Sequence, residues 1–356
     1  MVSIPCLAWY RYHRYLRVVN NGVRMTKKWV TMGDVARAAG VGKITVSRAL
    51  STPQKVSAET REKVEAAVAA LGYVRDDTAG ALSSQRSKMV GAVVSTLDQP
   101  VFASTIRGLS EGLAPEGMQL LLGTAQYAPE TEAGLVATLM GRRPDAMVVT
   151  SSEHTEGTRT LLSRLPTVEL WELPEKPIFA AVGFSNRAAG RAMTEHLVQT
   201  GRRAIAMLST ERPGDTRAQL RAEGYAEAVP GHAPRLLKLT PEPGQTGPDL
   251  GAIGLEWILE KWPDTDAVLC ASDALGLGAF CEAGRRGLSV PQRLAITGFG
   301  DVEDVGDAGI GLTTIRIDGA AIGRKAAQLL LAATTGQALP ETRIDMGFTL
   351  TRRASS

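Results

Sequence analysis

The chain has 356 residues, which predicts two or three domains, and its 44% hydrophobic and 22% charged residues exclude a wholly disordered polypeptide. The net charge of +3 is unevenly distributed, because residues 1–90 carry 15 Lys and Arg against 6 Asp and Glu, whereas the remainder carries 25 against 31. This asymmetry indicates an N-terminal part that binds a polyanion such as DNA, with a membrane surface as the alternative partner.

Cysteines, histidines and apolar runs exclude further classes of protein. The three cysteines are too few and too scattered for a disulfide framework, and neither they nor the four dispersed histidines form a metal-ligand cluster. No stretch approaches the roughly 18 consecutive apolar residues of a membrane span. Three arginines within residues 11–17 interrupt any signal-peptide core. We therefore expect a cytoplasmic protein with no metal, no cofactor and no membrane contact.

The first 25 residues mix basic and apolar types without a helical or strand pattern. Met25 stands directly before the first patterned segment, so residues 1–25 are either a disordered basic extension or a mispredicted start. We assign no function to them.

Residues 26–74 have the pattern of three short helices. Thr31 and the acid three residues later have the spacing of a capping box, and a glycine-containing turn ends this first helix. A second helix is predicted to start at Lys43. After a loop (STPQKVS), a third helix begins at the cap Ser57 and stops at Gly72. Two short helices around a glycine turn predict a helix-turn-helix domain.

Residues 75–88 are polar, small and basic, and they are predicted to form a linker. From Met89 onward, short apolar runs alternate with longer segments of helical period, the pattern of βαβ units and parallel sheets. The alternation restarts after a proline-rich stretch, which predicts two α/β lobes. The strand-like runs are VGAVVST, QLLLGT, DAMVVTS, AAVGFS, RAIAMLS, RLLKL, DAVLCAS and LAITGFG.

The helix-turn-helix carries side chains suited to a DNA interface. The second helix offers Lys43, Ile44, Ser47 and Arg48 to base edges in the major groove, where Arg48 suits guanine and Ile44 suits a thymine methyl. Neighbouring hydroxyls and cations are expected to contact phosphates, which set the register of binding rather than the sequence preference. These residues are Thr31, Thr45, Lys55, Ser57 and Arg61. The alternative is a helical hairpin within a soluble core.

The run VTMGDVARAAGVGKITVSRAL, followed by VSAETREKVEAAVAALGY and ALSS, resembles the start of a LacI/GalR-family bacterial repressor. The resemblance continues through PVFASTIRGLSEGL, AVGFSNRAAG, CASDALGLGA, RRGLSVPQRLAITGFGD, LTTIRID and DMGFTL, and so covers nearly everything after Val30. Within that family, VGKITVSRAL, QPVFASTIRGL, AAVGFSN and DMGFTLTR are most similar to the gluconate-utilisation repressors.

The resemblance implies an α/β protein with an N-terminal three-helix helix-turn-helix domain and a two-lobed, periplasmic-binding-protein-like core of parallel sheets. The chain would cross between the lobes three times. Residues 89–184 and 317–343 would form the core N-lobe, and residues 185–316 and 344–356 the core C-lobe. A homodimer would bind a roughly palindromic operator in double-stranded DNA, and a C-terminus without a heptad tail favours a dimer over a tetramer.

The resemblance also implies that residues 75–88 form a hinge. Leu82 matches a leucine that wedges into the minor groove at the operator centre and kinks the duplex; otherwise it is a loop leucine without a function. The chain departs from the family pattern at the hinge entrance, where Asp76 and Asp77 replace the more usual proline-asparagine run. Two acids near phosphates are expected to weaken the hinge contact.

A small effector is expected in the cleft between the lobes, because ligands of open α/β sheets bind beyond the carboxyl ends of the strands. The candidates that follow predicted strands are Asp98, Phe102, Ser151, Glu153, His154, Ser272, Asp273, Phe299 and Asp301. The resemblance adds Arg217 and Arg221, which match the ligand-gripping segment of the family, and an arginine there suits a sugar-acid carboxylate. Gly300 stands where many family members carry an aspartate that binds sugar hydroxyls, which favours a more anionic effector. The alternative for each position is an ordinary loop residue or a surface ion pair.

Enzyme motifs receive less support from the sequence. The segment Gly108 to Gly112 matches the GxSxG nucleophile elbow, but it lies in a segment of helical period rather than at a strand-to-helix turn. The glycines at Gly298 and Gly300 lack the rest of a dinucleotide-binding fingerprint. We therefore expect no enzyme activity, with an enzyme that acts on a sugar acid as the alternative.

Together these features predict a transcriptional repressor of carbohydrate-utilisation genes whose effector is a sugar or a sugar acid such as gluconate. Effector binding is expected to favour the state in which the hinge is unpaired, so that operator affinity falls. The alternatives are an activator, a regulator of another catabolic pathway that responds to a sugar or sugar phosphate, and a sugar-binding protein without a DNA function.

Overall fold

A computed structural model describes residues 29–74, 86–97, 99–151, 153–229, 231 and 233–356 of the chain. The described residues form two compact units, the first within residues 29–74 and the second from residue 86 onward. Within these ranges, no helix is both long and apolar enough to cross a bilayer.

The first unit consists of three helices, α1 (Met32–Ala39), α2 (Lys43–Ser51) and α3 (Ala58–Leu71). Between α2 and α3, the predicted loop contains a 3₁₀ turn, Pro53–Lys55, because proline fixes φ at a value that suits the first position of a helical turn. Apolar side chains at helical spacing from all three helices pack together in the core of the unit. These include Val35, Val46, Val64 and Tyr73.

Local capping explains where these helices begin and end. The Thr31 side chain accepts from the Asp34 backbone N–H and the Asp34 side chain accepts from the Thr31 backbone, so the predicted capping box is confirmed. Ser57 caps α3 as predicted. Gly40 and Gly72 end α1 and α3 in the left-handed region, at φ of 67° and 61°, which a glycine adopts without steric cost.

The second unit alternates strands and helices along the chain. Its elements are β1 (Met89–Val94), α4 (Pro100–Leu113), β2 (Gln119–Thr124), α5 (Pro129–Met140), β3 (Ala146–Val149), α6 (Glu156–Leu162), β4 (Thr167–Leu170), β5 (Ala180–Gly183), α7 (Asn186–Gln199), β6 (Ile205–Thr210), α8 (Thr216–Ala228), β7 (Arg235–Leu239), α9 (Gly247–Lys261), β8 (Ala267–Cys270), α10 (Asp273–Arg285), β9 (Ala295–Thr297), β10 (Thr314–Arg316), α11 (Gly319–Thr334), β11 (Arg343–Asp345) and β12 (Thr349–Thr351).

Two parallel sheets organise this unit. One has six strands in the order β11-β5-β4-β3-β1-β2, and the other has four in the order β7-β6-β8-β9. We call the parts built on them the N-lobe and the C-lobe. The predicted α/β fold with parallel sheets is therefore confirmed.

The chain passes between the lobes after β5, after β10 and between β11 and β12. Strand β11 pairs with β5 in the N-lobe sheet, whereas β12 pairs antiparallel with β10 on the C-lobe side. Helix α11 returns to the N-lobe, where it packs against α4. These three crossings place the cleft between the lobes at the carboxyl ends of both sheets.

The GxSxG segment lies inside α4, as its helical period predicts. A Cβ atom on Gly108 would lie 2.2 Å from the Ala320 carbonyl oxygen, and one on Gly112 would lie 2.6 Å from the Ala327 Cβ. The two glycines therefore serve the close packing of α4 on α11 rather than a strand-to-helix elbow.

Several short elements were not predicted from the sequence. Helix α6 and strand β4 lie in and just before the proline-rich stretch that was interpreted as a break between the lobes. Strand β4 has only four residues and includes an acid, Glu169, so it lacks the apolar run of its neighbours. It nevertheless pairs with both β3 and β5 and is fully buried, because the N-lobe sheet is covered on both faces.

Candidate functional sites

Helix α2 presents the predicted base-contacting side chains on its outer face. Val46 and Ala49 are buried in the unit, whereas Lys43 and Arg48 are exposed and Ile44 is 69% exposed. Ser47 is half-buried, and its carbonyl accepts from the Ser51 hydroxyl. An exposed apolar side chain with two cations on the same helix suits a groove that presents both methyl groups and acceptors.

The predicted phosphate-contacting residues lie around the ends of the helices. The hydroxyls of Thr31 and Ser57 are used as helix caps, and the Thr31 hydroxyl also donates to Asp34 Oδ2 at 2.7 Å. Arg61 lies 3.7 Å from Glu65 on an exposed turn of α3, and Lys55 is exposed on the 3₁₀ turn. Thr45 is half-buried on α2. Leu82 lies outside the described residues.

The effector cleft contains a buried arginine that connects the two lobes. Arg217 on α8 of the C-lobe donates to the Thr150 carbonyl and, at 2.9 Å, to the Ser95 hydroxyl, both in the N-lobe. Its guanidinium also lies 3.9 Å from Glu172 and 5.3 Å from the Phe102 ring centroid. The charge of Arg217 is therefore compensated by protein groups.

The second predicted arginine has fewer partners. Arg221 is buried, donates to Asn186 Oδ1 at 2.6 Å and lies 4.3 Å from the Phe299 ring centroid. Its Nε has no hydrogen-bond partner, and within the described part of the chain no carboxylate oxygen lies within 4.0 Å of its nitrogens. Burial lowers its pKa, partly offset by the charges of Asp215 and Glu172.

Asp273, at the start of α10, is bound by backbone and side-chain donors. The Thr314 hydroxyl donates to it at 2.6 Å and the Val302 N–H at 2.9 Å. Burial raises the pKa of this carboxyl to about 6, against those two hydrogen bonds, which lower it. Ser272 caps α10.

Gly300, which departs from the family pattern, lies next to this carboxylate. Its φ is 134°, and a Cβ there would lie 3.1 Å from Asp273 Oδ2. An aspartate at this position would be strained and would face a like charge. The neighbouring Asp301 pairs with Arg353 at 2.7 Å, so the structure gives it a protein partner.

The other predicted effector residues lie on the N-lobe side. Phe102 is buried. The Ser151 hydroxyl donates to the Glu153 carbonyl at 2.9 Å, and the Glu153 side chain is exposed. The His154 side chain is fully buried and turned toward Glu132 and Glu169. Asp98 lies outside the described residues.

The structure adds cleft residues that the sequence analysis did not find. Ser95 and Thr150 form a pair, with the Ser95 N–H donating to Thr150 Oγ1 at 2.8 Å. Glu172 accepts from Thr216 Oγ1 at 2.6 Å, and Asn186 donates to the Trp171 carbonyl. Glu172 follows β4 as Ser151 follows β3. The rule that ligands bind beyond the carboxyl ends of strands, which we call the strand-end rule, would therefore have found Glu172 if β4 had been predicted.

Tyr127 closes one side of the cleft. Its φ of 62° lies in the left-handed region, and Arg212 and Arg217 from the C-lobe lie 5.0 and 5.7 Å from its ring centroid. A Cβ on Gly214 would lie 2.2 Å from the Tyr127 carbonyl oxygen, so only glycine permits this approach of the lobes. Strained residues of this kind are frequent at ligand sites.

Comparison with known proteins finds matches along almost the whole chain. Residues 31–76 match the model of bacterial regulatory proteins of the lacI family, and residues 194–356 match the periplasmic binding protein-like domain. The HTH-type transcriptional regulator GntR of Pseudomonas aeruginosa is 36% identical over 331 residues, covering 92% of this chain and 95% of that protein.

Solved structures of bacterial regulatory proteins also match almost the whole chain. A LacI-family transcriptional regulator from Silicibacter pomeroyi matches with a TM-score of 0.84 and 31% identity, over 92% of this chain and 99% of that one. The lac repressor dimer bound to operator and the anti-inducer ONPF matches with a TM-score of 0.77 and 26% identity, over 92% and 99%.

Proposed function

The chain belongs to the lacI family of bacterial regulatory proteins and is a DNA-binding transcriptional repressor with a periplasmic-binding-protein-like core; we propose that it represses carbohydrate-utilisation genes in response to a sugar acid. We further propose that it acts in the cytoplasm as a homodimer on a palindromic operator, with no catalytic activity. The relative crystallised as a dimer on its operator supports this assembly.

The outer face of α2 supports the proposed mode of DNA binding. Arg48 and Ile44 are exposed on the same short helix, and its inner residues are fixed in the core of the unit. A helix held in this way enters the major groove as a rigid body, so the side chains that meet base edges are set by the fold.

The observation that carries the effector proposal is the incomplete pairing of Arg221. A buried guanidinium without a carboxylate partner is costly, and an anionic ligand removes that cost when it supplies the missing acceptor. A carboxylate is planar and accepts two parallel N–H bonds from a guanidinium. The polar cleft around it supplies hydroxyl partners, so a polyhydroxy acid such as gluconate fits both features.

Repression and induction follow from two states of the core. Arg217 and Tyr127 contact the opposite lobe, so an effector that competes for these contacts changes the arrangement of the lobes. An effector with higher affinity for one arrangement shifts the population toward it, and operator affinity changes by the same coupling free energy.

Selection of bound sequences from a random duplex pool tests the DNA function, and a thermal-shift screen of sugars, sugar acids and sugar phosphates tests the effector. We expect an enriched palindrome and the largest stabilisation from gluconate or a related aldonate. A response to neutral sugars alone, with none to any acid, contradicts the sugar-acid proposal and leaves the DNA function standing.

A further inference from the structure

Three ionisable side chains form a buried cluster behind the N-lobe wall of the cleft. His154, in the loop after β3, lies between Glu132 on α5 and Glu169 on β4. The His154 Nδ1 is 3.0 Å from Glu132 Oε2, and Nε2 is 3.7 Å from Glu169 Oε1. The three side chains are 0%, 5% and 1% exposed.

The cluster holds His154 as a cation. Burial by itself lowers the imidazole pKa, but the hydrogen bond to Glu132 and the charges of both carboxylates outweigh burial and raise the pKa to about 9. Glu169 is further bound by the Ile178 N–H at 2.7 Å, so it is fixed from two sides. One cation between two anions leaves the cluster with a net negative charge, which is unfavourable inside a protein unless a further donor faces it.

Glu132 lies beside a pocket in which a ligand could supply this further donor. It lines this pocket together with Ser95, Tyr127, Thr150 and Ser151. Ser95 and Thr150 are also the residues that accept hydrogen bonds from Arg217. The pocket therefore shares part of its wall with the arginine-containing part of the effector cleft. It carries acceptors and hydroxyls, whereas the other part carries cations.

We propose that the Glu132 carboxylate binds hydroxyl groups of a polyhydroxy effector and that His154 is the positioning residue that holds this carboxylate in place. The inference rests on the proposed function, and it names the part of the ligand that this wall takes. An ionised carboxylate has about four acceptor sites, so one hydrogen bond to His154 leaves others for hydroxyl donors. His154 itself has no exposed side-chain surface, so its contribution is indirect.

The division of charge orients the ligand. The acidic end of the effector lies toward Arg221, whose Nε lacks a hydrogen-bond partner, and the hydroxyl-bearing end lies toward Glu132. A carboxylate end near Glu132 would face a like charge inside a low-dielectric site. A polyhydroxy acid with its charge at one terminus can bind both Arg221 and Glu132, whereas a fatty acid of equal length can bind only Arg221.

The test compares gluconate with hexanoate, an acid of equal carbon count without hydroxyls, by calorimetric titration of the full-length protein. We expect E132Q and H154Q to weaken gluconate binding at least tenfold relative to wild type and to leave hexanoate binding unchanged. E130Q is the matched control, because Glu130 lies exposed on the same helix and has no part in the cluster. Cooperative unfolding of each variant shows that it is folded, and E132D serves as the conservative variant if E132Q is not.

A pH profile separates positioning from mere structural support. Within the described residues, the charged groups that face His154 are Glu132 from α5 and Glu169 from β4. Gluconate affinity of the wild type should fall between about pH 8 and pH 10 as His154 loses its proton, whereas H154Q should have a flat profile in that range. Equal profiles for the two proteins contradict the positioning role.

The proposal is overturned if E132Q binds gluconate within twofold of wild type, or if hexanoate binds as tightly as gluconate. If the wild type does not bind gluconate, the result contradicts the proposed sugar-acid effector instead. Titration of the same variants with glucose then shows whether Glu132 binds ligand hydroxyls. Specific operator binding is measured on the same samples, so a failure of the DNA function is recognised separately.

Discussion

Arg353, three residues from the end of the chain, pairs with the Asp301 carboxylate at 2.7 Å, and both side chains are only 9% exposed. Asp301 has a φ of 57° and follows Phe299 and Gly300 on the loop that borders the effector cleft. Arg353 also donates to the Leu312 carbonyl at 2.9 Å. The segment after β12 therefore holds the side chain of a loop residue that borders the effector cleft.

Arg353→Met should destabilise the protein by about 3 kcal/mol, because it leaves the buried Asp301 carboxylate without its closest cation. Urea unfolding measures the loss. The double variant with Asp301→Asn should recover part of it, since the unpaired charge is then removed. A double variant as unstable as the sum of the two single variants would show that the pair does not interact.

The starts and ends of the helices were largely visible in the sequence, because capping is local. Thr31, Ser57 and Gly72 act within one turn of the helices they cap. The strands β1 and β2 were also predicted, since their apolar runs match their lengths. The short β4 was not, because its burial comes from neighbouring strands rather than from its own composition.

Parts of the cleft depend on contacts between distant residues and could not be predicted in the same way. Arg217 was found by resemblance, but its bond to Ser95 joins positions 122 residues apart. The pairing of Arg353 with Asp301 depends on the antiparallel β10–β12 pair, and neither strand has a periodic pattern of its own. The strand-end rule found the edge of the cleft, whereas its interior required the fold.

Arg48→Ala and Lys55→Ala should weaken DNA binding in different ways. Arg48 lies on the exposed face of α2 that we propose meets base edges, so its loss should cost about 1–3 kcal/mol on the selected operator and little on random DNA. Lys55 should weaken all sequences alike and reduce the slope of log affinity against log salt by about 1. Filter binding across a salt series measures both, and equal small effects would contradict α2 as the recognition helix.

Arg221→Met should abolish the stabilisation by gluconate with little change in the ligand-free protein. Removal of a buried charge that lacks a carboxylate partner relieves its desolvation, which offsets the lost bond to Asn186. Arg217→Met is the comparison, because it removes bonds to Thr150 and Ser95 and should cost about 2 kcal/mol without ligand. Thermal unfolding with and without gluconate separates the two, and a full gluconate response in Arg221→Met would contradict its anion-binding role.

The free energy of unfolding should depend on His154 in a defined pH range. The two carboxylates raise the imidazole pKa from its ordinary value of 6.5 to about 9 in the folded state, so folding favours the protonated form. Its contribution is fully present below about pH 6.5 and is lost as pH rises through about 9. The shift corresponds to about 3 kcal/mol.

The difference in unfolding free energy between wild type and His154→Gln should therefore be largest near pH 6 and shrink by about 3 kcal/mol toward pH 10. Urea titrations at unit pH intervals measure it, and the exposed Glu130→Gln variant controls for unrelated groups that titrate in the same range. A difference that stays constant, or that grows with pH, would mean that His154 is neutral between Glu132 and Glu169, and the cationic cluster would have to be abandoned.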